Sequence, residues 1–262
     1  MPRKKGAFVA QSFRQAEIIE IARREGKVTV EGLSERFDVT LQTIRRDLTD
    51  LAENGKLDRV HGGAILPSGT ANIGYEERRH MNHLGKVDIA RICAAELPDD
   101  CSIFLNIGTT TEAVAAELLT HKNIMVVTNN MNVANILAAN DACKVIVTGG
   151  ALRLSDGGLV GSLTIDTIRQ FKFDFAVIGC SALDEDGDIL DFDIHEVGVS
   201  QTIIRQSRNV ILAADHTKFQ RKAPARIGSL ADVSCFVTDR PVTQSLREAC
   251  ENWGTRVLVC GA

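Results

Sequence analysis

The feature that most constrains the fold is a repeated alternation of short apolar segments with helical segments between residues 86 and 259. The apolar segments are rich in Val, Ile and Phe, which favour strands. Strands that alternate with helices are joined by right-handed crossovers into a mostly parallel sheet with helices on both faces. We therefore expect an α/β fold for this part of the chain. The predicted strands are 103–105, 124–128, 144–148, 175–178, 210–213, 235–238 and 256–259, and the predicted helices are 86–97, 112–119, 132–139, 163–171, 196–207 and 243–252.

The first 66 residues follow a different pattern, in which three helical segments lie close together. Ser12 is predicted to cap a helix that ends near Glu25, and a second helix spans 30–37. Thr40 is predicted to cap a third helix, which Gly55 ends. A helix, a short turn and a polar-faced helix make up the helix-turn-helix arrangement, so we expect that motif here.

The third helix carries side chains that suit DNA. Its buried side is an apolar stripe, and its polar side presents Arg for guanine or phosphate and Gln for adenine. A predicted hairpin over 57–66 adds a wing that reaches the phosphate backbone. The predicted DNA-binding residues are Gln42, Thr43, Arg45, Arg46, Arg59 and His61. The alternative is a generic three-helix bundle, whose exposed arginines pair with nearby carboxylates, as Arg46 can with Asp50.

The charge balance limits how such a protein binds DNA. Residues 1–60 contain 12 Lys and Arg against 10 Asp and Glu, while the whole chain has a net charge of −4. This balance argues against a large nonspecific nucleic-acid surface. Binding must come from a local patch, and we expect a homo-oligomer, a dimer or a tetramer, to duplicate it.

Other features of the composition point to the cytoplasm. No run of about 18 apolar residues is present, so no membrane span or membrane contact is expected. The basic N-terminus is not followed by an apolar segment, which argues against a secretory signal. The seven cysteines are scattered and never form a C-x-x-C pair. We therefore expect a reducing compartment, no zinc or other metal, and no cofactor.

A polar segment over 67–83 separates the two patterns and is predicted to be a linker. Tyr75, the only tyrosine, is expected to dock this linker on one domain through its apolar ring. The predicted domains are therefore a DNA-binding domain at 1–66, the linker, and an α/β domain at 84–262.

The sequence G-T-T-T at residues 108–111 lies between a predicted strand and a predicted helix. Glycine allows close approach of the backbone to an anion, and the helix N-terminus with its threonine hydroxyls supplies donors. This arrangement predicts a phosphate cradle, although neither a P-loop nor a G-x-G-x-x-G motif is present. The structural alternative is a helix start capped by Thr and Gly for stability alone.

Several other strand ends are predicted to meet at the same edge of the sheet, where ligands of such folds bind. Lys218 follows a strand and suits a phosphate, while amides, carboxylates and a Gly-Gly pair lie at other ends. The predicted ligand-binding residues are Gly108, Thr109, Thr110, Thr111, Asn129, Asn130, Gly149, Gly150, Asp184, Glu196 and Lys218. Each carboxylate also fits a turn or a helix cap, most of all Asp184 in D-E-D-G-D. Together the residues imply a small, hydroxylated and phosphorylated ligand.

These motifs together resemble the DeoR family of bacterial transcriptional regulators over essentially the whole chain. The N-terminal motifs are F-D-V-T at 37–40, T-I-R-R-D-L at 43–48 and H-G-G-A at 61–64. The C-terminal motifs are I-G-T-T at 107–110, V-T-N at 127–129, G-G at 149–150 and A-D-H-T-K-F at 214–219. Further segments, including D-G-G at 156–158 and H-E-V at 195–197, resemble the members of the family that respond to glycerol 3-phosphate.

The resemblance implies a winged helix-turn-helix joined to a mostly parallel α/β sensor related in fold to ribose-5-phosphate isomerase. It implies a repressor that leaves operator DNA when a phosphosugar or phosphorylated polyol binds, with glycerol 3-phosphate favoured. The isomerases hold phosphate with a Gly/Ser/Thr loop and a D-x-[ST]-K lysine, which residues 108–111 and 215–218 match. Asn106 departs from the family, where Asp commonly precedes I-G-T-T.

The rival interpretation is a sugar-phosphate isomerase with an accessory N-terminal module. An isomerase needs a carboxylate base and groups that stabilise an enediolate. The D-G-A-D loop of those enzymes appears here as S-A-L-D at 181–184, which lacks the first Asp, and Glu196 is the other candidate base. The missing carboxylate and the attached helix-turn-helix favour the regulator, so we predict no enzymatic activity.

Overall fold

The computed structural model describes residues 5–25, 27–54, 56–60, 62–65 and 73–261. The chain divides into two compact units. The N-terminal unit comprises Met1–Gly69 with His80–Asn82, and the C-terminal unit comprises Thr70–Arg79 with His83–Ala262. The predicted linker is therefore divided, because residues 70–79 belong to the C-terminal unit.

Three helices and a small antiparallel sheet form the N-terminal unit. Its elements are α1 (Lys5–Glu25), β1 (Lys27–Thr29), α2 (Val30–Phe37), α3 (Leu41–Glu53), β2 (Asp58–Val60) and β3 (Gly63–Ile65). Strand β3 lies between β1 and β2 and pairs with both. Helix α2 has the predicted bounds, and Thr40 caps α3 by accepting a hydrogen bond from the Thr43 N–H. Ser12 is not a cap, since α1 already begins at Lys5 and no Gly or Pro interrupts residues 7–11.

The apolar stripe predicted for α3 is the centre of this unit. Ile44 and Leu48 are fully buried and pack with Ile18 of α1 and Leu33 of α2. Burying a side chain of this size stabilises a fold by roughly 1.5–3 kcal/mol. Because one face of α3 is used in this way, its other face remains open to solvent.

The C-terminal unit is an α/β domain with many more elements. They are α4 (Tyr75–His80), α5 (His83–Ala95), β4 (Ser102–Leu105), α6 (Thr109–Glu117), β5 (Ile124–Thr128), α7 (Met131–Leu137), β6 (Cys143–Val147), β7 (Ala151–Arg153), β8 (Gly158–Val160), α8 (Ser162–Arg169), β9 (Phe173–Ile178), β10 (Ala182–Leu183), β11 (Asp188–Asp191), α9 (Ile194–Arg205), β12 (Ser207–Ala213), β13 (Ala225–Ser229), β14 (Cys235–Thr238), α10 (Gln244–Trp253) and β15 (Arg256–Val259), with short 3₁₀ helices at Leu118–Thr120, His216–Gln220 and Leu230–Asp232. The last residue of α4, His80, is grouped with the N-terminal unit.

Seven strands form the central sheet in the order β15-β14-β12-β9-β4-β5-β6, and every pairing is parallel. The predicted parallel sheet is thus confirmed. Side chains of a strand alternate between the two faces. In β4, Phe104 joins the apolar core on one face, while Ile103 and Leu105 join the core on the other. Apolar cores lie on both faces, which explains why the strands are mostly apolar.

Two small antiparallel sheets were not predicted. One has the order β10-β11-β13, and the other is the hairpin of β7 and β8. Their strands are short, and the segments between them, D-E-D-G at 184–187 and L-S-D-G at 154–157, have the composition of turns. A further difference concerns α6, which begins at Thr109 rather than at Glu112. The G-T-T-T segment is therefore the first turn of the helix and not a loop before it.

Candidate functional site

The polar face of α3 lies at the surface of the N-terminal unit. Gln42, Arg45 and Arg46 are exposed, while Thr43 is partly buried and its hydroxyl contacts that of Thr40 at 2.9 Å. Three of the four predicted contact residues on this helix are therefore available to a partner, and Thr43 also helps to fix the helix start.

The carboxylates next to these arginines are held by α1. Asp47 is completely buried and accepts a hydrogen bond from Arg14 at 2.5 Å. Asp50 accepts one from Gln11 at 2.8 Å. Within the described part of the chain, Arg45 and Arg46 form no ion pair. The pairing of Arg46 with Asp50 that a generic bundle would use is absent there, and both arginines keep their donors for phosphate or guanine.

The predicted wing is the hairpin of β2 and β3. Arg59 pairs with Ala64 across it and is exposed. Gly62 has a φ of 74°, which suits a glycine in the turn. His61 lies outside the described residues, so its predicted phosphate contact stays a prediction.

A cavity of about 360 Å³ lies in the C-terminal unit. It is built on residues that follow β4, β9 and β12, at the carboxyl ends of three neighbouring strands of the parallel sheet. Ligands of open α/β sheets bind at this edge. Six of the predicted ligand-binding residues line the cavity, namely Gly108, Thr109, Thr110, Thr111, Glu196 and Lys218.

One end of the cavity is shaped for an anion by the start of α6. Gly108 precedes the helix with a φ of 145° and has no side chain to cap it. The N–H groups of a first helical turn have no partner within the helix, and the helix dipole favours negative charge there. Thr111 turns its hydroxyl back to the Asn106 carbonyl at 2.7 Å, so its role is to hold the turn.

Lys218 adds a positive charge to this end. It lies in a short 3₁₀ helix that Asp215 caps through the Thr217 N–H at 2.9 Å. Among the described residues its ammonium group forms no ion pair. Burial and the charge of Arg221 together lower the pKa of Lys218 to about 8, although Asp215 raises it. A partly buried cation that forms no ion pair among the described residues has lost part of its solvation, and an anionic ligand offsets that loss.

The opposite side of the cavity carries carboxylates arranged around Arg153. Its guanidinium contacts Asp156 at 2.9 Å, Asp193 at 2.6 Å and Glu196 at 2.8 Å. The contact with Glu196 does not have hydrogen-bond geometry, and the buried Oε2 atom of Glu196 has no hydrogen-bond donor among the described residues. Burial raises the pKa of Glu196 to about 7, whereas Arg153 lowers it. This side can accept hydrogen bonds from ligand hydroxyls.

Asn106 is fixed by its neighbours rather than free to turn. Its Nδ2 donates to the Ser200 hydroxyl at 2.9 Å, and its Oδ1 accepts from the Ile107 N–H at 2.7 Å. The amide stands at the cavity wall in a single orientation, which the two different partners define.

The structure places Asn129 and Asn130 outside the cavity wall. Asn130 caps α7 through the Asn132 N–H at 2.9 Å, and Asn129 donates to the Leu159 carbonyl at 3.2 Å. The Leu159 N–H in turn donates to the Asn129 carbonyl at 2.7 Å. Strand β8 therefore covers the end of β5, and the Asn129 side chain serves that contact, whereas the Asn130 side chain holds the start of α7.

Gly149, Gly150 and Asp184 also lie outside the cavity wall. The Gly149 carbonyl accepts from Thr164 of α8 at 2.8 Å, and a Cβ at Gly150 would come within 2.2 Å of the Thr164 hydroxyl oxygen. The two glycines thus permit close packing of α8, not of a ligand. Asp184 is exposed in the turn from β10 to β11, where its N–H donates to the Asp188 carbonyl at 3.0 Å.

Two arginines of the cavity were missed by sequence reasoning. Arg78 lies in the segment that we assigned to the linker, within E-E-R-R, and such charge runs are usually solvated. Arg153 lies in the unpredicted β7, between two exposed leucines. The alternation L-R-L was the available signal, since it places the arginine on the opposite side of the strand from Leu152 and Leu154.

Helix α4 is tied to this wall through Tyr75. The Tyr75 hydroxyl donates to Glu112 at 2.9 Å and accepts from Asn132 at the same distance. Burial and the bond to Glu112 raise the pKa of Tyr75 to about 12. Tyr75 therefore docks this segment as predicted. The contact is made by hydrogen bonds of its hydroxyl group and not by its apolar ring.

Two family models match the chain. Residues 14–70 match the model of the DeoR-like helix-turn-helix domain, and residues 81–240 match that of the DeoR C-terminal sensor domain. The chain is 43% identical to the glycerol-3-phosphate regulon repressor of Escherichia coli over 95% of this chain and 99% of that protein. It is 42% identical to the repressor of the same name from Haemophilus influenzae, over 95% and 97%.

A solved structure of ribose 5-phosphate isomerase A from Neisseria gonorrhoeae gives a weaker match. It is 13% identical, covers 52% of this chain and 53% of its own, and has a TM-score of 0.38. A likeness at this level carries no argument about activity. No helix in the described part of the chain is long and apolar enough to cross a membrane.

Proposed function

The chain belongs to the DeoR family and is a DNA-binding transcriptional repressor, and we propose that a phosphorylated polyol, with glycerol 3-phosphate favoured, is the effector that releases it from operator DNA. The relatives that match over 95% of the chain are repressors and not enzymes. The rival isomerase interpretation is therefore dropped.

The observation that carries the choice of effector is the Lys218 ammonium group, which forms no ion pair among the described residues, beside the open start of α6. A phosphate bound there accepts hydrogen bonds from the N–H groups of the first turn and from the Lys218 ammonium group. Charge-assisted bonds of this kind contribute about 1.5–3 kcal/mol each. A neutral sugar or polyol forms no charge-assisted hydrogen bonds of this kind, so the proposal requires a phosphorylated ligand.

The carboxylate side of the cavity supports a polyol as the rest of the ligand. The buried Oε2 atom of Glu196 accepts a hydrogen bond from a ligand hydroxyl, which removes the cost of leaving it without a donor. The volume of about 360 Å³ is at the lower end of the roughly 300–1,000 Å³ that is usual for ligand sites. Small phosphorylated polyols therefore fit better than large sugar phosphates.

For DNA recognition, the polar face of α3 supports binding in the major groove, with Gln42, Arg45 and Arg46 at base edges or phosphates and Thr43 at the helix start. Arg59 and His61 are proposed to contact the phosphate backbone from the wing. One such module makes few contacts, so two subunits of a homo-oligomer, a dimer or a tetramer, read two half-sites.

Fluorescence anisotropy of the full chain on DNA from its own upstream region tests the proposal. We expect glycerol 3-phosphate to release the DNA and unphosphorylated glycerol to have no effect. Lys218→Gln should bind DNA normally and require at least a tenfold higher concentration of glycerol 3-phosphate. Lys222→Gln, at an exposed lysine four residues further on, is the matched control and should behave as the wild type.

The possible outcomes separate the parts of the proposal. Release only by another phosphosugar keeps the phosphate site and replaces the polyol. Equal responses of Lys218→Gln and Lys222→Gln contradict the phosphate site. Binding that glycerol 3-phosphate strengthens contradicts the direction of the response.

A further inference from the structure

We propose that Arg78 of α4 binds the effector phosphate directly, and that the site selects a dianion over a monoanion by drawing Arg78, Lys86 and Thr109 away from the bonds that hold α4. The inference rests on the proposed function, since it concerns the same cavity. It adds residues that neither the sequence motifs nor the comparisons assign to the ligand.

Arg78 stands at the cavity wall with only part of its binding capacity used. Its Nε donates to the Ile73 carbonyl at 3.1 Å, and its Nη2 donates to Asp156 at 3.2 Å. Its guanidinium carbon lies 5.9 Å from the centre of the Tyr75 ring. Only 16% of the side chain is exposed, so a new partner is found in the cavity rather than in bulk solvent.

The bond from Arg78 to Asp156 can be given up at low cost. Asp156 is already held by two bonds from Arg153, from Nε and from Nη2, each at 2.9 Å. Bidentate pairs of this kind are the stronger ones, and the single bond from Arg78 is the longest of the three. If Arg78 leaves, Asp156 keeps a full partner and no buried carboxylate is left alone.

The main chain of Arg78 is held by two donors, of which Thr109 lines the cavity and Lys86 lies behind its wall. The Arg78 carbonyl accepts a hydrogen bond from the Lys86 ammonium group and one from the Thr109 hydroxyl at 3.4 Å. Thr109 is the first residue of α6, and Lys86 lies on α5 and is almost completely buried. A phosphate at the start of α6 competes with this carbonyl for both donors, because an anionic oxygen is the better acceptor.

The charges at this end favour two negative charges on the ligand. Lys86 lies close to three other cations, Lys218, Arg78 and Arg221. Their positive charges lower the pKa of Lys86, whereas Asp215 raises it. Burial has the largest effect, and all of these influences together bring that pKa to about 7. Asp156 opposes Arg78, and Asp191 and Asp215 lie near Arg221, so these four cations face three carboxylates. When Arg78 turns away from Asp156, which Arg153 still holds, the positive excess is offset better by a phosphate monoester dianion than by a carboxylate or a phosphodiester.

Arg78 lies close in sequence to the boundary between the two units. Arg78 is two residues before His80–Asn82, the segment that is grouped with the N-terminal unit. The donors that hold the end of α4 through the Arg78 carbonyl are the donors that the phosphate recruits. Occupation of the site therefore acts on the chain where it passes from one unit to the other.

The test compares Arg78→Gln with Arg79→Gln in the full chain by titration calorimetry. Arg79 is the adjacent arginine of the same helix, is 55% exposed and does not line the cavity, so it is the matched control. We expect Arg79→Gln to bind glycerol 3-phosphate as the wild type does, and Arg78→Gln to bind it at least tenfold more weakly. The methyl diester of glycerol 3-phosphate, a monoanion, should bind the wild type at least tenfold more weakly than glycerol 3-phosphate and should lose little further affinity in Arg78→Gln.

A second measurement uses the wild type alone, in case Arg78→Gln does not fold. Hydrogen exchange of the α4 amides should change when glycerol 3-phosphate is added, and should not change with the diester. Helix α10, which does not line the cavity, is the internal reference.

Failure of this inference is distinguishable from failure of the proposed function. If the wild type binds glycerol 3-phosphate and Arg78→Gln binds it as tightly as Arg79→Gln, only the role of Arg78 is overturned. If hydrogen exchange of the α4 amides does not change when glycerol 3-phosphate is added, again only the role of Arg78 is overturned. If the wild type binds no phosphosugar at all, both the proposed function and this inference are overturned.

Discussion

Adjacent residues of α3 should respond to substitution in opposite ways. Arg46 is exposed and forms no ion pair among the described residues, whereas Asp47 is completely buried and bridges to Arg14 of α1. We expect Arg46→Ala to abolish most operator binding while the fold stays intact. We expect Asp47→Ala to destabilise the N-terminal unit itself.

The magnitudes follow from these environments. Substitution of an exposed residue without partners changes the free energy of unfolding by no more than about 0.5 kcal/mol. Removal of Asp47 leaves Arg14, which is only 15% exposed, without its carboxylate, and breaking such a buried pair costs about 3 kcal/mol or more. A base contact is worth about 1–3 kcal/mol, so its loss from two subunits weakens operator binding by roughly 30-fold or more.

Urea denaturation followed by circular dichroism measures the first quantity, and anisotropy on operator DNA measures the second. Arg36→Ala, at an exposed arginine of α2 outside the predicted DNA-binding face, controls for loss of charge. The reasoning is refuted if Arg46→Ala lowers the free energy of unfolding as much as Asp47→Ala does. It is also refuted if Arg46→Ala binds the operator as tightly as Arg36→Ala.

Three further predictions concern the C-terminal unit. Gly150→Ala should lower the free energy of unfolding by about 2–4 kcal/mol in a denaturation experiment, because the new Cβ clashes at a residue whose φ is already 120°. Gly161→Ala, at a φ of 106° but with open space around the new Cβ, should lower it by about 1 kcal/mol. Equal losses would contradict the packing role of Gly150. Effector affinity should fall as pH rises from 7 to 9, because bound phosphate raises the lowered pKa of Lys218 and binding takes up a proton; calorimetry that shows a flat profile would contradict this. Tyr75→Phe removes the bond to Glu112 and should lower stability by about 1 kcal/mol in thermal unfolding, and an unchanged melting temperature would count against that contact.

The sequence predicted the central sheet well because its strands are short, apolar and separated by amphipathic helices. Strand β5 and helix α2 have the bounds that the pattern indicates, and the parallel order follows from the crossovers. The start of α6 was placed three residues late, since Thr is a weak helix former and was taken for a loop residue. These segments depend on local patterns, which the sequence displays directly.

The candidate site was predicted in part, and the missing part has a physical reason. Residues 108–111, Glu196 and Lys218 meet because they follow strands at one edge of the sheet or begin the helix beside it. Asn129 and Gly150 follow β5 and β6 at the same edge, but the β7–β8 hairpin and α8 cover those strand ends. That cover depends on short strands whose pairing no local pattern reveals.

The arginines of the cavity illustrate the same limit. Arg153 reaches Asp193, forty residues further along the chain, and Arg78 reaches Asp156, 78 residues further along. Ion pairs between segments so distant in sequence depend on tertiary structure. The sequence indicated a site for phosphate, whereas only the structure shows the cations and carboxylates around it.

The most direct test of the account is a crystal structure of the full chain with glycerol 3-phosphate. The account predicts that the phosphate lies at the start of α6, with its oxygens in hydrogen-bond distance of the Lys218 Nζ and of N–H groups in the first turn. It further predicts a ligand hydroxyl at the Glu196 carboxylate. A phosphate bound away from Lys218, or a cavity that remains empty at saturating ligand, would contradict it.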